Sequence, residues 1–330
     1  MSTHEIPVIR IEEIKKHGNA DTLGIVQVFG WTVCIRLADF KVGDLMAYVP
    51  PDYMVNTERP EFAFLKTEGR TKERIKVKKL RGIISQGLPV PVPANSGLQE
   101  GGNAIEYFGI ERYQPPEPFS TGGEDESAPS GLYIPKYDVE SYNRYRGLFV
   151  DGEPVIGTEK IHGCNSRYVY SSKDGRMHCS SHTSWKREDE KNVWWKALYK
   201  NLWIAEWCKQ NPDILLYGEV FGQVQSLKYG AGKADFFFAA FDILDHDRWV
   251  DFAEARDRTK NVPGFLWVPL AYQGPFDEAV LLTEAEKDSL WPNANHLREG
   301  IVVKPEKERT NPELGRVQLK IVSNRYFLQK

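Results

Sequence analysis

The chain has 330 residues, and its 43 Lys+Arg against 46 Asp+Glu give a formal net charge of −3 at pH 7; at roughly 150 residues per domain the length accommodates two domains. Hydrophobic residues at 41% and charged residues at 27% describe a globular chain rather than a disordered one, and the near-balance of charge excludes a generic basic coat for nucleic acid while leaving room for a local basic groove. No run of about 18 apolar residues is present, so no membrane span is expected, and the start MSTHEIPVIRIEEIKKHG lacks the apolar core of a signal peptide, which makes the cytoplasm the default location.

Residues 1–112 carry short β-type runs at Ile6–Ile11, Gly24–Val28, Thr32–Leu37 and Leu45–Val49. Between them lie turn signals at 17–21, 29–31 and 41–44. Short strands at that spacing predict a small barrel or sandwich. Residues 70–81 read RTKERIKVKKLR, in which Arg70, Lys72, Arg74, Lys76 and Lys78 share one parity while Ile75 and Val77 fall on the other. A strand over 74–79 buries the two apolar side chains and aligns like charges on its outer face. Such a row suits the phosphates of a nucleic acid, and equally suits a solvated edge strand guarded against aggregation.

Residues 113–131 are rich in Pro, Gly, Ser and acid, the composition of a linker or mobile loop. Folded pattern resumes over 132–330. Residues 188–209 place Val193, Trp194, Ala197, Leu198, Trp203 and Ile204 at helical spacing, and strand-like runs follow at Ile214–Tyr217, Phe236–Leu244, Gly300–Lys304 and Val317–Val322. The fold class is therefore α+β. Cys34, Cys164, Cys179 and Cys208 are scattered without a C-x-x-C, so four reduced thiols are expected and a zinc site is not. The stretch Gly230–Lys233 fails as a phosphate-binding loop: its first glycine would fall on Leu227, and Ala234 replaces the hydroxyl that such loops offer to magnesium.

The informative pattern is an ordered set. It opens on Thr158-Glu159-Lys160-Ile161-His162-Gly163-Cys164-Asn165. Tyr217-Gly218-Glu219 and Phe238-Ala239-Ala240-Phe241-Asp242-Ile243 follow, then Arg298-Glu299-Gly300-Ile301-Val302-Val303-Lys304-Pro305, and last Leu319-Lys320-Ile321. A lone K-x-x-G carries almost no information, whereas five matches in the correct order do. The set resembles the covalent nucleotidyltransferases, the superfamily of ATP-dependent ligases and RNA-capping enzymes. The form E-K-I-H-G-x-N, with His162 where DNA ligases usually carry aspartate, resembles the nick-sealing RNA ligases. The likeness covers residues 132–330, and the N-terminal runs H-G-N-A-D, F-K-V-G-D and L-R-G-I-I-S-Q-G-L are similar to the OB-type domain that precedes the ligase domain in one subgroup.

The resemblance implies a C-terminal, ATP-grasp-like ligase domain of antiparallel sheets and helices behind a small OB-like β-barrel. It implies an RNA-repair ligase that joins a 3′-OH to a 5′-phosphate, in a nicked duplex, through lysyl–AMP and RNA–adenylate. Lys160 is then the nucleophile, with His162, Lys304 and Lys320 as further catalytic groups; a free amine is needed at a residue whose ordinary pKa is ~10.4. Glu159, Lys160, Asn165, Glu219, Phe241, Glu299, Lys304 and Lys320 would contact ATP or AMP. Glu219 and Glu299 suit Mg²⁺ or Mn²⁺, and the basic row at Arg70–Lys78 would meet RNA. Phe236, Phe237 or Phe238 could supply the ring that stacks on adenine in place of Phe241. Gln318 or Val322 stands where the last motif usually has a second lysine, leaving Lys320 alone or with Arg316. The arginine that often follows the nucleophile has only Ser181-His182-Thr183, Lys186 and Arg187 near its place.

A monomer without a membrane partner is expected. The competing readings are a DNA ligase or mRNA-capping guanylyltransferase, which usually place their OB domain after the transferase domain, and a non-catalytic RNA-binding protein with a decayed ligase domain. Against decay stand the intact Lys160, Glu219, Glu299 and Lys304.

Overall fold

The computed structural model describes residues 4–113 and 124–329, which form two compact units. The first is built from residues before 114 together with Tyr142–Arg146. Its strands are short and antiparallel: Leu45–Val49 lies between Val8–Arg10 and Leu88–Pro91, and Leu23–Val28 lies between Lys15–Lys16 and Trp31–Arg36. Alternation places Val26, Val28, Val33 and Ile35 inward against Met46 and Tyr48, as a period of two requires. A second apolar cluster gathers Ile6, Val8, Val49, Val55, Phe62 and Phe108.

The basic stretch departs from the single strand expected over 74–79. Lys72–Arg74 pairs with Tyr53–Asn56, and a separate strand Lys78–Leu80 pairs with Ile83–Ser85. Ile75 and Val77 are buried, but the charges do not form an uncompensated row. Lys72 Nζ sits 2.7 Å from the Glu111 carboxylate, and Arg74 Nε bonds Asp52 at 2.9 Å while its guanidinium lies 4.0 Å over the Tyr113 ring. Arg70, Lys76 and Lys78 are exposed.

The second unit is built around Gly147–Tyr326 and contains two sheets. One runs in the order Glu140–Ser141, Leu319–Val322, Gly300–Pro305, Pro154–Glu159, Leu270–Pro275. The other runs Asp125–Glu126, Trp185–Lys186, Arg176–Ser180, Cys164–Ser171, Ile214–Gly222, Phe236–Asp245, Arg248–Trp249. All pairings are antiparallel except Glu140–Ser141 with Leu319–Val322. Asp125–Glu126, expected as linker, is thus an edge strand; residues 114–123 of that expected linker lie outside the described residues.

The helical pattern at 188–209 resolves into two helices, Val193–Lys200 and Trp203–Gln210. They break at Asn201, whose side-chain amide donates to the carbonyls of Ala197 (2.7 Å) and Phe236 (2.9 Å), drawing the chain toward the neighbouring strand. Both helices lay their apolar faces on the larger sheet, where Trp194, Trp195, Trp203 and Trp207 join Tyr168, Leu216, Phe238 and Ile243 in the main core. All four cysteines are free thiols, and among the described residues no helix is long and apolar enough to cross a membrane. Replacing Trp207, which is 2% exposed, with alanine should cost about 3–5 kcal/mol of stability by opening a cavity in this core, measured as a lower denaturation midpoint at unchanged m-value.

Candidate active site

Pro154–Glu159 is an interior strand of the smaller sheet and Cys164–Ser171 an interior strand of the larger one. The link between them is Lys160-Ile161-His162-Gly163. Lys160 therefore stands where the chain crosses from sheet to sheet, and its backbone N–H donates to Gly300 O at 2.9 Å. That bond sets Lys160 beside Glu299, whose Oε1 lies 2.8 Å from Lys160 Nζ and whose Oε2 lies 3.2 Å from His162 Nδ1. Glu299 itself is fixed through its carbonyl, which accepts from Ser323 N–H at 2.9 Å.

Gly163 explains the small residue of the motif. A Cβ there would come within 2.2 Å of Val220 O and 2.9 Å of Glu219 Cγ, so only glycine lets the link run flush against the strand carrying Glu219. The Gly163 N–H donates to Glu219 Oε1 at 3.1 Å. Glu219 pairs in register with Asn165, which puts the two side chains on one face, and Asn165 Oδ1 is buried without a hydrogen-bond partner.

The two carboxylates are electrostatically unequal. Burial pushes Glu219 up to about 8; the Glu299 charge adds to the rise, while the Lys160 ammonium opposes it. Glu299 is equally desolvated, but Lys160 and His162 outweigh that burial and hold it well below the usual carboxylate range. Two acids pushed apart in this way occur at sites where charge is to be handled. Glu159 is buried on the other side of its strand, accepting from Ser289 Oγ at 2.6 Å and Leu290 N–H at 2.7 Å; burial raises its pKa.

Lys304 and Lys320 share a face of the smaller sheet, because Lys320 opposes Val302 and Lys304 stands two residues on. Lys304 is buried, ion-paired with Asp242 and 3.4 Å from Glu308. Arg316 grips the same acids, meeting Asp242 at 2.8 and 3.0 Å and Glu308 at 2.7 Å, and lies 4.0 Å over Trp249. Gln318 accepts from the Tyr137 hydroxyl at 3.0 Å and donates to Asp138 O at 3.2 Å, while Val322 opposes Gly300. Phe241 falls at a register shift: Tyr217 pairs with Asp242 but Gly218 with Ala240. Such a bulge re-aims a side chain, and Phe241 packs 4.7 Å from Tyr137. Phe238 is fully buried in the main core, whereas Phe236 and Phe237 are half-buried.

Near the place of the arginine expected after the nucleophile, Lys186 Nζ is 2.7 Å from Asp125, Arg187 pairs with Glu124, and His182 Nε2 contacts Tyr137 O at 3.0 Å. Arg167 is a buried guanidinium that sequence reasoning missed. It donates to Ser180 Oγ and to the carbonyls of Ser181 and His182 at 2.7–3.1 Å. Three more residues surround His162: its backbone N–H donates to Tyr229 Oη at 2.7 Å, its Nε2 faces Ser226 Oγ at 3.2 Å, and its Nδ1 faces Tyr326 Oη at 3.1 Å. The basic residues Arg70–Lys78 belong to the other unit.

A lysine on the crossover between two antiparallel sheets, held by a carboxylate and flanked by a second, defines the covalent nucleotidyltransferase class. The RNA ligase family model matches residues 153–322, more than half of the chain, and an OB-fold domain model matches residues 6–92. The chain belongs to the RNA ligase family. Among solved structures it is similar to RNA ligase from Naegleria gruberi. An apo aspartate variant of that protein aligns at 25% identity and TM-score 0.82, covering 100% of this chain and 99% of the other; a lysine variant with ATP and Mn aligns at 25% and 0.81, covering 98% of each; and the form with PPi aligns at 25% and 0.81, covering 99% of each. No curated protein matches the chain.

The raised pKa of Glu219 has a measurable sign. A carboxyl that stays protonated to about pH 8 in the folded state but ionises near 4.3 when unfolded makes stability fall as pH rises between those values. Glu219→Gln removes that dependence. The variant should gain stability relative to the wild type from pH 5 to pH 8, with the difference levelling off above about 8, read from denaturation midpoints across pH.

Proposed function

We propose that this RNA ligase uses ATP and a divalent cation to seal RNA breaks with 3′-OH and 5′-phosphate ends, in nicked duplexes, through lysyl–AMP and RNA–adenylate. The observation that carries the reading is the contact of Lys160 Nζ with Glu299 at 2.8 Å on the link between the sheets, in a chain similar to ligases solved with ATP and Mn or with PPi.

Lys160 gives up a proton and its free amine attacks the α-phosphorus of ATP. A P–N bond forms, the bond to the β-phosphate breaks, and pyrophosphate leaves. An oxygen of the RNA 5′-phosphate then attacks the AMP phosphorus, breaking the P–N bond and returning the amine. Finally the 3′-OH attacks the 5′-phosphorus, its proton is lost, and AMP departs.

In this scheme Glu299 orients Lys160 and His162 together, and His162 stands ready to donate to the departing pyrophosphate. Asn165, with its unpartnered Oδ1, and Glu219 offer polar atoms to the nucleotide. Glu159 fixes the strand end next to the base, and Phe241 on its bulge supplies the stacking ring. Lys304 and Lys320 face the transferring phosphates from the smaller sheet, Lys304 having first to share its charge with Asp242.

The donor set fits a hard cation. Glu219 and Glu299 would be oxygen ligands; burial chiefly, with the Glu299 charge adding to it, raises the Glu219 pKa, and a divalent ion would favour its ionised form. Among the described residues no three His, Cys, Asp or Glu side chains stand in metal-holding geometry, so the remaining ligands would be phosphate and water oxygens, the usual arrangement for Mg²⁺. Such an ion lowers the pKa of a neighbouring ammonium and neutralises charge developing on phosphate. In the N-terminal domain, residues 1–112, we assign phosphate contacts to the exposed Arg70, Lys76 and Lys78, with Lys72 and Arg74 joining on exchange of their carboxylate partners.

Incubation with α-labelled ATP and Mg²⁺ or Mn²⁺ tests the reading. The wild type should acquire an acid-stable covalent label from ATP and not from GTP, and Lys160→Ala should acquire none. A labelled alanine variant would overturn the nucleophile assignment, and labelling from GTP alone would indicate a capping activity. Glu299→Gln leaves the shape of the site but removes the charge on Lys160 and the metal, so its labelling rate should fall by about 100-fold or more; an unchanged rate at limiting metal takes Glu299 out of the chemistry.

A further inference from the structure

We propose that Arg256 and the aromatic pocket around it form a binding site for an RNA phosphodiester, beside the catalytic link and separate from the nucleotide site. Arg256 lies on the helix Phe252–Thr259. Its guanidinium is stacked between two rings, 5.0 Å from the centroid of Phe252 and 4.9 Å from that of Trp267. Its one hydrogen bond is long, from Nη2 to Val268 O at 3.4 Å, and its Nε is buried with no partner.

The contrast with its neighbours is in charge. Arg258, two residues on, meets Asp245 at 2.8 Å and Glu254 at 2.5 Å, and Arg248 meets Glu254 at 2.8 Å. Among the described residues Arg256 has no carboxylate within ion-pair distance. Burial alone pushes its pKa down, to about 10, and no acid offsets that fall. A partly desolvated cation without a counter-charge costs a fold stability, and an anion arriving from outside would offset that cost.

The pocket has room for one. Phe252, Arg256, Trp267, Val268, Pro269 and Leu270 line a depression of about 340 Å³, at the lower end of the ~300–1,000 Å³ typical of ligand sites. Leu266 and Leu270 beside it are 36% and 39% exposed. A planar cation between aromatic faces, with an apolar rim, is the chemistry that holds a sugar-phosphate strand while letting a base lie against a ring.

Its place in the fold selects RNA over a free anion. The segment 266–269 is bonded on both sides to site-bearing strands: Leu266 O and Val268 N–H pair with Ala240, next to Phe241, and Pro269 O accepts from Glu159 N–H at 2.8 Å, one residue before Lys160. A strand laid across this pocket runs along the edge of the sheet that carries the nucleophile. The inference rests on RNA being the substrate, a reading that sealing of a nicked RNA duplex, against a nicked DNA duplex, by the wild type tests separately.

The test uses the full chain, a 5′-phosphorylated nicked RNA duplex as probe, and anisotropy titrations at several salt concentrations. Arg256→Met keeps an unbranched apolar stem against the rings and removes the charged guanidinium. Binding should weaken about tenfold or more, the scale of one charged hydrogen bond, and the slope of log K against log salt should shrink by about 0.7–0.9, one phosphate contact. Arg256→Lys should recover part of both. The Met variant should melt close to the wild type, since the charge it loses is half-buried and has no carboxylate partner. Wild-type affinity and slope in the Met variant, or a lower melting temperature with RNA binding retained, overturns the proposal in favour of a guanidinium that only packs the helix. If the Met variant does not fold, the wild type still decides: RNA, but neither ATP nor pyrophosphate, should protect Arg256 from an arginine-specific dicarbonyl reagent. Equal modification with and without RNA refutes the site, and protection by pyrophosphate alone reassigns the pocket to a free anion.

Discussion

One carboxylate organises the catalytic half of this protein. Glu299 reaches from the start of its strand to two residues of the link between the sheets, meeting Lys160 with one oxygen and His162 with the other. The backbone secures both ends of the arrangement, Lys160 N–H to Gly300 O and Ser323 N–H to Glu299 O. Gly163 then allows the link to lie against the strand of Glu219 without a side chain between them. The smaller sheet thus supplies the partner of Lys160 and the larger sheet supplies the second acid, and the Lys160 amine sits where the two meet. Such preorganisation is what electrostatic catalysis needs, because groups already aimed at the reacting atoms need not be reorganised later.

Behind the site lies a second charged assembly that has no slack. Asp242 receives Lys304, Arg316 and the Tyr137 hydroxyl, and Glu308 closes the ring through Lys304 and Arg316. Asp242 is held below its ordinary pKa because Arg316 and Lys304 outweigh its burial. Removing one member of a desolvated network leaves the others uncompensated, which costs far more than the intact network contributes. The lysine at the end of E-G-I-V-V-K is therefore structural: it ties the Gly300–Pro305 strand to Asp242 and stands on the face it shares with Lys320.

The course of the catalytic strands was legible because each motif is local. A strand ending in Glu-Lys, a glycine three residues on and an acid-glycine step before a β run all depend on neighbours in sequence. The family assignment followed from their order. What was not legible is contributed by residues far along the chain. Nothing near Lys72 and Arg74 announces Glu111 and Asp52, so five aligned charges read as one row, suited to phosphates or to a guarded edge, although Lys72 and Arg74 already hold carboxylates. Nothing in the Trp-rich helical pattern shows that Asn201 will bond a carbonyl of Phe236 and split it. Tyr229, Ser226 and Tyr326 surround His162 from a loop and a terminal helix that carry no motif. Arg256 is silent in the sequence for the opposite reason, since what distinguishes it is the partner it lacks.

The contact between Lys160 and Glu299 also bears on how the enzyme survives while waiting. An ammonium group paired to a carboxylate has no lone pair to offer, so the resting protein is chemically latent. Cellular acyl phosphates, isocyanic acid and aldehydes that modify free amines meet a lysine in its unreactive form. In the proposed scheme reactivity would follow when a substrate and its cation draw the carboxylate into other bonds. A single 2.8 Å contact therefore serves, in the proposed scheme, as a safety catch on the nucleophile.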